Sequence, residues 1–292
     1  MNWHLSNRAR VWAALVCALC AVVCAPVAAA VDEAEDAKNR IHFAGRQGAL
    51  LQQISRDACF VMAGIQPQRY AESALSALRQ FDVTLMGLLE GDDNLRINRE
   101  GSVDLVARLN DIATGWAVFG PASQQIASGD LHSVPMAQAL RLGPATFDQS
   151  EDVTREMIAH YSAQMADGLA TTLWAAHQLA AYALKASNDV CLIVLDIDAP
   201  SRLADLRETM GQMDALIVDV ANGAPERGVI APSSRQMTKQ LKRVSRAWSD
   251  LSVLLDQGIE GAPLKDAEKV TLANLSSQIL LEVKTVIDMY LY

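Results

Sequence analysis

Aromatic side chains are scarce in this chain of 292 residues: Phe, Trp and Tyr together make up 5% of it, while 51% of the residues are hydrophobic. Sandwiches and barrels are built from strands enriched in aromatic and β-branched residues. A hydrophobic fraction dominated by small and aliphatic side chains instead favours packed helices. The composition therefore predicts an all-α fold.

The sequence after residue 30 also lacks a basic block and a second apolar run of membrane-spanning length. It carries 23 basic against 34 acidic side chains, which gives a net charge of −11. Such a protein is poorly suited to bind nucleic acid or an anionic membrane surface. We therefore expect no nucleic-acid partner and no crossing of the bilayer after residue 30.

Residues 1–30 have the pattern of a secretory signal peptide. Arg8 and Arg10 precede an apolar run, and Pro26 interrupts that run before three alanines at 28–30. A basic start, an apolar middle and a small-residue end predict export with cleavage near residue 30. An uncleaved anchor is the alternative, because the run from 11 to 29 is nearly long enough to span a membrane.

The remaining sequence repeats itself at an offset of 132 residues. Asp57-Ala58-Cys59 aligns with Asp189-Val190-Cys191. The same offset aligns further glycines, acidic residues and a tryptophan-containing segment: Gly91 with Gly223, Gly129 with Gly261, Asp82 with Asp214, and Leu109, Ile112, Trp116 and Phe119 with Leu241, Val244, Trp248 and Leu251. Near the ends of the copies the offset becomes 129, where Arg155 and Tyr161 align with Lys284 and Tyr290. This indicates a tandem duplication, with repeats at 31–162 and 163–292.

Each repeat is predicted to form four helices. In the first repeat, helix one runs from about Glu33 to Gly64, helix two from Pro67 to Glu90, and helix three from Val103. Gly120-Pro121 and Gly143-Pro144 are expected to break or kink the helices that contain them. The second repeat has the same plan.

The stretch between about Gln149 and Leu195 contains no proline and one glycine, Gly168. It predicts a long helix of roughly 70 Å shared by both repeats, so that two tandem four-helix bundles stack in an elongated rod. Cys59 and Cys191 would then lie farther apart than the roughly 7 Å that a disulfide spans. We therefore predict free thiols, although a break at Gly168 would make a disulfide feasible again.

Helix one carries a stripe of small and aliphatic residues beside a concentration of hydrogen-bonding groups. The stripe includes Ile41, Ala44, Gly48, Leu51, Ser55 and Ala58, and it allows close approach by another helix. Arg46, Gln47, Gln52 and Gln53 lie just beside it. These polar residues form either a solvated face or a pocket for a small anionic or polar ligand at a helix or subunit interface.

Ala44-Gly45-Arg46-Gln47 followed by Leu50-x-Gln52 resembles the opening motif of PilJ-type sensor domains, typically Ala-Gly-Arg-Gln-Arg-Met-Leu-Ser-Gln-Arg. These domains begin the type IV pilus methyl-accepting chemotaxis transducers, and nitrate/nitrite sensor kinases of the NarX kind carry a related helix. Val229-Ile230-Ala231-Pro232 in the second repeat is similar to the family's Leu-Pro-Ala-Pro turn.

This resemblance implies a periplasmic, usually dimeric four-helix bundle that senses a small ligand for a membrane-bound signalling partner. In the nitrate sensors, arginines of helix one hold the anion, so the resemblance assigns ligand binding to Gly45, Arg46, Gln47 and Gln52. A guanidinium suits a nitrate-like anion because its N–H donors match planar oxygen acceptors.

The chain departs from the family pattern at several positions. Gly48, Leu51 and Gln53 replace the usual Arg, Ser and Arg, and the second repeat has Ala176-His177-Gln178-Leu179 in place of the motif. We therefore expect a reduced anion site in the first repeat and none in the second.

Residue patterns for catalysis, metals and cofactors are absent from the sequence. It has no Gly-x-Ser-x-Gly elbow and no phosphate-binding glycine loop. Glu156-x-x-x-His160 has the wrong spacing for a di-iron site, and Asp92-Asp93-Asn94 lacks the alternation of a calcium loop. We predict a protein that is not an enzyme and uses no cofactor, with Trp116 and Trp248 as core residues.

Two functions remain open at this point. The first is a soluble periplasmic sensory module that binds a small ligand through helix one. The second is an adaptor or structural rod that meets a membrane-bound chemotaxis, pilus or two-component partner and binds no small molecule.

Overall fold

The structure is a computed structural model that describes residues 31–260 and 263–292. Within these residues the fold is all-α, as predicted, with eight helices and no strand. The helices are Glu33–Met62 (α1), Pro67–Glu90 (α2), Val103–Ala127 (α3), Ser133–Tyr161 (α4), Leu169–Val194 (α5), Ala199–Asn222 (α6), Arg235–Ile259 (α7) and Asp266–Leu291 (α8). The predicted signal peptide lies outside the described residues. No described helix is long and apolar enough to cross a membrane.

Local geometry recurs at the offset of 132 residues. An isolated antiparallel bridge joins Asp92 to Ile97 in the first repeat, and its equivalent joins Ala224 to Val229 in the second. Four further pairs of residues show the same correspondence. Gln66 and Asp198 have positive φ before α2 and α6, as do Gly64 and Asp196 two residues earlier. Gly91 and Gly223 have positive φ after these helices, and Ser102 and Ser234 cap α3 and α7. The repeats nevertheless form one compact unit, Asp32–Tyr292.

The prediction of one long helix between Gln149 and Leu195 is wrong. α4 ends at Tyr161, a 3-10 turn follows at Ser162–Gln164, and α5 begins after Gly168. Gly168 has φ +77°, and a Cβ there would lie 2.7 Å from Cγ2 of Ile230 and 3.0 Å from the carbonyl oxygen of Gly228. Glycine therefore permits both the left-handed turn and the close contact that end the helical path.

Pro121 and Pro144 do not break their helices. α3 continues through Pro121 and α4 continues through Pro144. Each proline removes one backbone hydrogen bond, but burial of the neighbouring turns favours continuous helices. Gly120 shows how close this packing is, because a Cβ there would lie 3.0 Å from the ring of Trp116.

The first helices of the two repeats, α1 and α5, pack side by side and in parallel. A Cβ on Gly45 would lie 2.8 Å from Cδ2 of its equivalent, His177. Farther along, Cys59 and its equivalent Cys191 form a disulfide with a Cα–Cα distance of 6.2 Å. Both the predicted free thiols and the end-to-end rod are therefore wrong, because the turn at Gly168 lets the second repeat pack beside the first.

The tryptophans predicted to be core residues occupy equivalent positions. Trp116 and Trp248 are buried. Nε1 of Trp116 donates to Oδ1 of Asp82 at 2.5 Å, and Nε1 of Trp248 donates to Oδ1 of Asp214 at 2.7 Å. Each tryptophan thereby joins the second and third helices of its repeat.

The repeats differ at the start of their first helices. Arg40, fully buried in α1, donates to Asp36 at 2.7 Å and to Glu100 at 2.8 Å, and the hydroxyl of Tyr161 also donates to Glu100. The position equivalent to Arg40 is Thr172, whose Oγ1 accepts from the backbone of Ile230 at 2.9 Å. The same hydroxyl donates to the carbonyl oxygen of Gly168 at 2.7 Å. A buried ionic network in one repeat thus corresponds to neutral hydrogen bonds in the other.

Candidate functional site

Two recesses flank the α1–α5 pair at positions related by the duplication. The larger, which we call the interface cavity, is about 700 Å³ and is lined by α1, α3, α4, α5 and α6. The smaller, which we call the Arg46 groove, is about 270 Å³ and is lined by α1, α2, α5 and α8. Their equivalent lining residues are Trp174 with His42, Gln178 with Arg46, Tyr182 with Leu50, Gln212 with Gln80, Glu151 with Leu280, and Arg155 with Lys284.

The four residues predicted to bind ligand do not converge on one site. Arg46 lines the Arg46 groove, whereas Gln52 lines the interface cavity. Gln47 is buried within the first repeat, where its Nε2 donates to Oγ1 of Thr84 at 2.5 Å. Gly45 packs against His177. α1 therefore presents these side chains to different neighbours.

The Arg46 groove has a basic lining. Arg46 donates to Oε1 of Gln80, and burial lowers the pKa of its guanidinium, an effect that Asp288 opposes. Lys284 also lines the groove and lies 3.6 Å from Asp288. Two cations and one carboxylate, Asp288, therefore line this groove.

Two histidines form the deep side of the Arg46 groove. Nε2 of His177 lies 3.1 Å from Nδ1 of His42, so one ring donates to the other. Burial, assisted by Arg46, Lys284 and Lys38, lowers the pKa of His42 to about 3, and burial likewise lowers that of His177 well below its ordinary value. Both rings are neutral at neutral pH, when the pair shares a single hydrogen bond.

Glu151 is the central polar residue of the interface cavity. Its side chain is buried on α4, and its Oε2 accepts from Nε1 of Trp174 at 2.9 Å and from Nε2 of Gln178. Its Oε1 and the Oε1 of Gln178 have no hydrogen-bond partner among the described residues. Glu151 thus receives neutral donors from α5 but forms no ion pair within the described chain.

Close packing of α1 against α4 fixes the position of this carboxylate. A Cβ on Gly48 would overlap Oε1 of Glu151 and would lie 3.3 Å from the ring of Phe147. The small-residue stripe of α1 therefore serves the close approach predicted for it, and it brings helix backbone against the carboxylate. The residue equivalent to Gly48 on α5 is Ala180, which faces the Arg46 groove.

Burial raises the pKa of Glu151 to about 7, and the nearby carboxylates Asp148 and Asp152 contribute in the same direction. The hydrogen bond from Trp174 and the charge of Arg155 oppose this rise. A carboxyl group with such a pKa is partly neutral at neutral pH. A cation placed in the cavity would favour its ionised form.

The cationic side chains of the cavity already have carboxylate partners. Lys185 donates to Asp189 at 2.9 Å and to Thr209 at 2.9 Å. Arg202 lies 3.6 Å from Asp189 and 3.4 Å from Asp205, while its Nε has no hydrogen-bond partner among the described residues. The positive charges are therefore largely compensated within the protein.

Two further carboxylates of the cavity, Asp148 and Glu208, form no ion pair in the described residues. Burial and the neighbouring Asp152 raise the pKa of Asp148. Burial, followed by the charges of Glu151 and Glu208, raises the pKa of the Tyr182 hydroxyl. The cavity thus combines an uncompensated acidic character with aromatic walls.

Sequence reasoning missed the interface cavity. Its central residues, Glu151, Trp174 and Gln178, lie outside the helix-one motif. The sequence nevertheless indicated that Glu151 is unusual. The offset of 129 residues aligns it with Leu280, an apolar residue of the equivalent helix in the second repeat. A carboxylate at the position of a partly buried leucine indicates a functional rather than a packing role.

The described residues contain no group of three or more His, Cys, Asp or Glu side chains arranged to hold a metal ion. The arrangement of Glu151, Trp174 and Gln178 offers hydrogen bonds and charge, with no nucleophile beside a base. No protein-family model matches the chain, and no curated protein shows significant similarity to it. The geometry of the cavity is therefore the main guide to function.

Proposed function

We propose that the protein is a non-catalytic binding module for a small polar ligand, and that this ligand occupies the interface cavity. The supporting observation is a recess of about 700 Å³, within the range of small-molecule sites, whose buried lining includes polar atoms without partners. These are Oε1 of Glu151, Oε1 of Gln178, Nε of Arg202 and Oγ of Ser123. Since buried polar groups are normally hydrogen-bonded, a ligand with matching groups would complete the site.

The location of the cavity suggests how binding would be sensed. Its walls come from α1, α3 and α4 of the first repeat and from α5 and α6 of the second. A bound ligand would therefore contact both repeats and favour one arrangement of them. In the nitrate sensors that carry a related helix, arginines of helix one face each other across a dimer, and here α1 and α5 provide a comparable pairing within one chain.

We retain the rest of the sequence-based hypothesis as part of this proposal. Export to the periplasm follows from the signal-like residues 1–30, and a membrane-bound partner would have to transmit the response. A homodimer would add a contact between two chains to the α1–α5 contact within each chain.

The Arg46 groove is a second candidate site, for a nitrate-like anion. Its support is the pairing of Arg46 and Lys284 in one lining, with two neutral histidines beside them. The groove is small, about 270 Å³, and would suit an ion of only a few atoms. The two candidate sites make different predictions for variants at equivalent positions.

A thermal-shift screen of the purified protein tests the proposal. The panel would contain amines, amino acids, carboxylates and small anions, including nitrate and nitrite. Gln178→Ala and Arg46→Ala form a matched pair, because the residues are equivalent but line different recesses. A ligand at about 100 times its dissociation constant stabilises by roughly 2.7 kcal/mol, and we expect that stabilisation to fall in Gln178→Ala and to persist in Arg46→Ala.

The reverse result, a loss confined to Arg46→Ala, would assign binding to the Arg46 groove. Stabilisation by no compound in the panel would contradict a ligand-binding role and favour the adaptor hypothesis. That hypothesis would then be tested by substituting exposed apolar residues such as Val83, Met86 and Val218 and measuring association with membrane-bound partners.

A further inference from the structure

The balance of charge within the interface cavity identifies the class of ligand, and this inference rests on the proposed function. Three lining carboxylates, Asp148, Glu151 and Glu208, have no ion-pair partner among the described residues. Lys185 and Arg202 are paired with Asp189 and Asp205. An incoming ligand would therefore meet an excess of negative charge.

Glu151 is the most demanding of the three carboxylates. It is only 8% exposed and accepts hydrogen bonds from Trp174 and Gln178, both uncharged donors. Buried carboxylates in proteins are usually paired with a cation or a metal. The described chain supplies neither to Glu151, and a proton partly takes that place at neutral pH. A ligand cation would displace the proton and pair with the ionised carboxylate.

The surroundings favour an organic cation over a metal ion. No described cluster of His, Cys, Asp or Glu could hold a metal, and the cavity walls include the rings of Trp174, Tyr182 and Phe147. Aromatic faces attract ammonium groups. They also pack against the methylene groups that separate two ammonium groups in an organic cation. The indole of Trp174 lies directly beside the carboxylate, because its Nε1 donates to Glu151.

We propose that the interface cavity binds an aliphatic polyamine, with one ammonium group paired to Glu151 and a second directed toward Asp148 or Glu208. The volume of about 700 Å³ accommodates a chain of this kind. Gln178 contributes its unpartnered Oε1 as a neutral acceptor for an ammonium hydrogen. Arg155, whose guanidinium lies 2.5 Å from Asp152, remains at the exposed edge and leaves the carboxylates available.

Isothermal titration with putrescine tests this proposal. 1,4-Butanediol serves as the neutral analogue of similar length, and MgCl₂ at matched ionic strength reports general screening of acidic charge. We expect binding of putrescine alone. Quenching or a spectral shift of Trp174 fluorescence on titration, absent in Trp174→Phe, would place the amine beside Glu151.

Glu151→Gln and Glu156→Gln provide the matched carboxylate variants. Both residues lie on α4, but Glu156 is outside the cavity and pairs with Arg108 at the surface. Because a hydrogen bond to a charged group contributes more than a neutral one, we expect putrescine affinity to fall about tenfold or more in Glu151→Gln and to be unchanged in Glu156→Gln. If Glu151→Gln does not fold, Glu208→Gln should still weaken binding severalfold.

The outcomes separate this proposal from the one on which it rests. Equal responses to putrescine and Mg²⁺, or equal losses in the two α4 variants, would overturn specific amine binding. Binding of butanediol or of another neutral compound with no response to putrescine would overturn the amine assignment and leave the ligand-binding function standing. No response to any compound in the wider panel would overturn both.

Discussion

The interface cavity and the Arg46 groove occupy equivalent places beside the α1–α5 pair but carry opposite chemistry. Where the cavity has Glu151 and Gln178, the groove has Leu280 and Arg46. The pKa of the buried acid in the cavity is raised, whereas the pKa of the buried base His42 in the groove is lowered. Both shifts favour the neutral form of the buried group, as desolvation does for acids and bases alike.

This comparison shows which parts of a duplicated fold tolerate divergence. The Trp–Asp hydrogen bonds, the bridges after the second helices and the half-cystines recur in both repeats. Residues that line the two recesses differ in character, as Gln178 does from Arg46 and Glu151 from Leu280. Packing and turn geometry therefore hold the common framework, while the recesses can acquire separate specificities.

The largest expected effect comes from separating the two repeats. Replacing Cys59 and Cys191 together by alanine removes a cross-link between residues 132 apart, and a loop of that length corresponds to about 4–5 kcal/mol of unfolding free energy. Urea denaturation would measure the loss, which should affect both recesses. An unchanged stability after reduction, with both thiols shown free by alkylation, would contradict a role for the disulfide in holding the pair.

The Arg46 groove should dominate the loss of stability in acid. The pKa of His42 lies near 3 in the folded protein and near 6.5 when unfolded, so the unfolded state binds more protons as the pH falls below about 6.5. Above about pH 6.5 this histidine has no effect on stability, because it is neutral in both states. Between that pH and pH 3 its titration should lower the free energy of unfolding by up to about 4 kcal/mol. Denaturation of the wild type and His42→Gln across this range would show a smaller acid loss in the variant, and identical acid limbs would refute the assignment.

The interface cavity should show the opposite dependence. The pKa of Glu151 rises from 4.5 to about 7 on folding, so the folded state binds more protons and stability declines as the pH rises from about 4.5 to 7. The expected change is about 3 kcal/mol. Denaturation at several pH values would measure it as the difference in unfolding free energy between the wild type and Glu151→Gln. A constant difference between the two proteins would show that Glu151 does not titrate with folding.

Copying the groove into the cavity should abolish the proposed amine site. Gln178→Arg places at the cavity the residue that the equivalent position carries in the groove, and its guanidinium would pair with Glu151. We expect at least a tenfold loss of putrescine affinity, or about 1.4 kcal/mol, by calorimetry. The reciprocal Arg46→Gln is the control and should leave putrescine binding unchanged. Retained binding in Gln178→Arg would place the amine elsewhere.

The smallest effects should be alike in the two repeats. Trp116→Phe and Trp248→Phe each remove one hydrogen bond, to Asp82 and Asp214, at an expected cost of about 1 kcal/mol. Thermal denaturation of the two single variants should give similar shifts. A difference of severalfold would show that the shared geometry conceals unequal stabilities of the repeats.

The sequence predicted those features that depend on local periodicity and on the repeat. Helices α1 and α2, the buried tryptophans and the close packing of the small-residue stripe followed from spacing alone. The prediction of a long central helix was wrong, although the repeat itself indicated where a new helix should begin. Helix one starts at Glu33, and the offset of 132 places the equivalent start near Met165, close to the observed beginning of α5 after Gly168.

The disulfide and the cavity depended on contacts between distant segments. Periodicity does not show that α1 packs beside α5, so it could not bring Cys59 to Cys191. The importance of Glu151 likewise arises from the approach of Gly48 and from the donors on α5. The helix-one motif indicated Arg46 on α1. The interface cavity instead lies where α5, the equivalent of α1 in the second repeat, faces α4.

The pairing of α1 with α5 inside one polypeptide has a consequence for stoichiometry. In an association of two identical chains, dilution would separate the walls of a site formed between them, and symmetry would provide two copies of that site. Here the covalent chain and the Cys59–Cys191 bond keep both walls together at any protein concentration. The cavity should therefore bind one ligand per chain, with an affinity that does not vary as the protein is diluted.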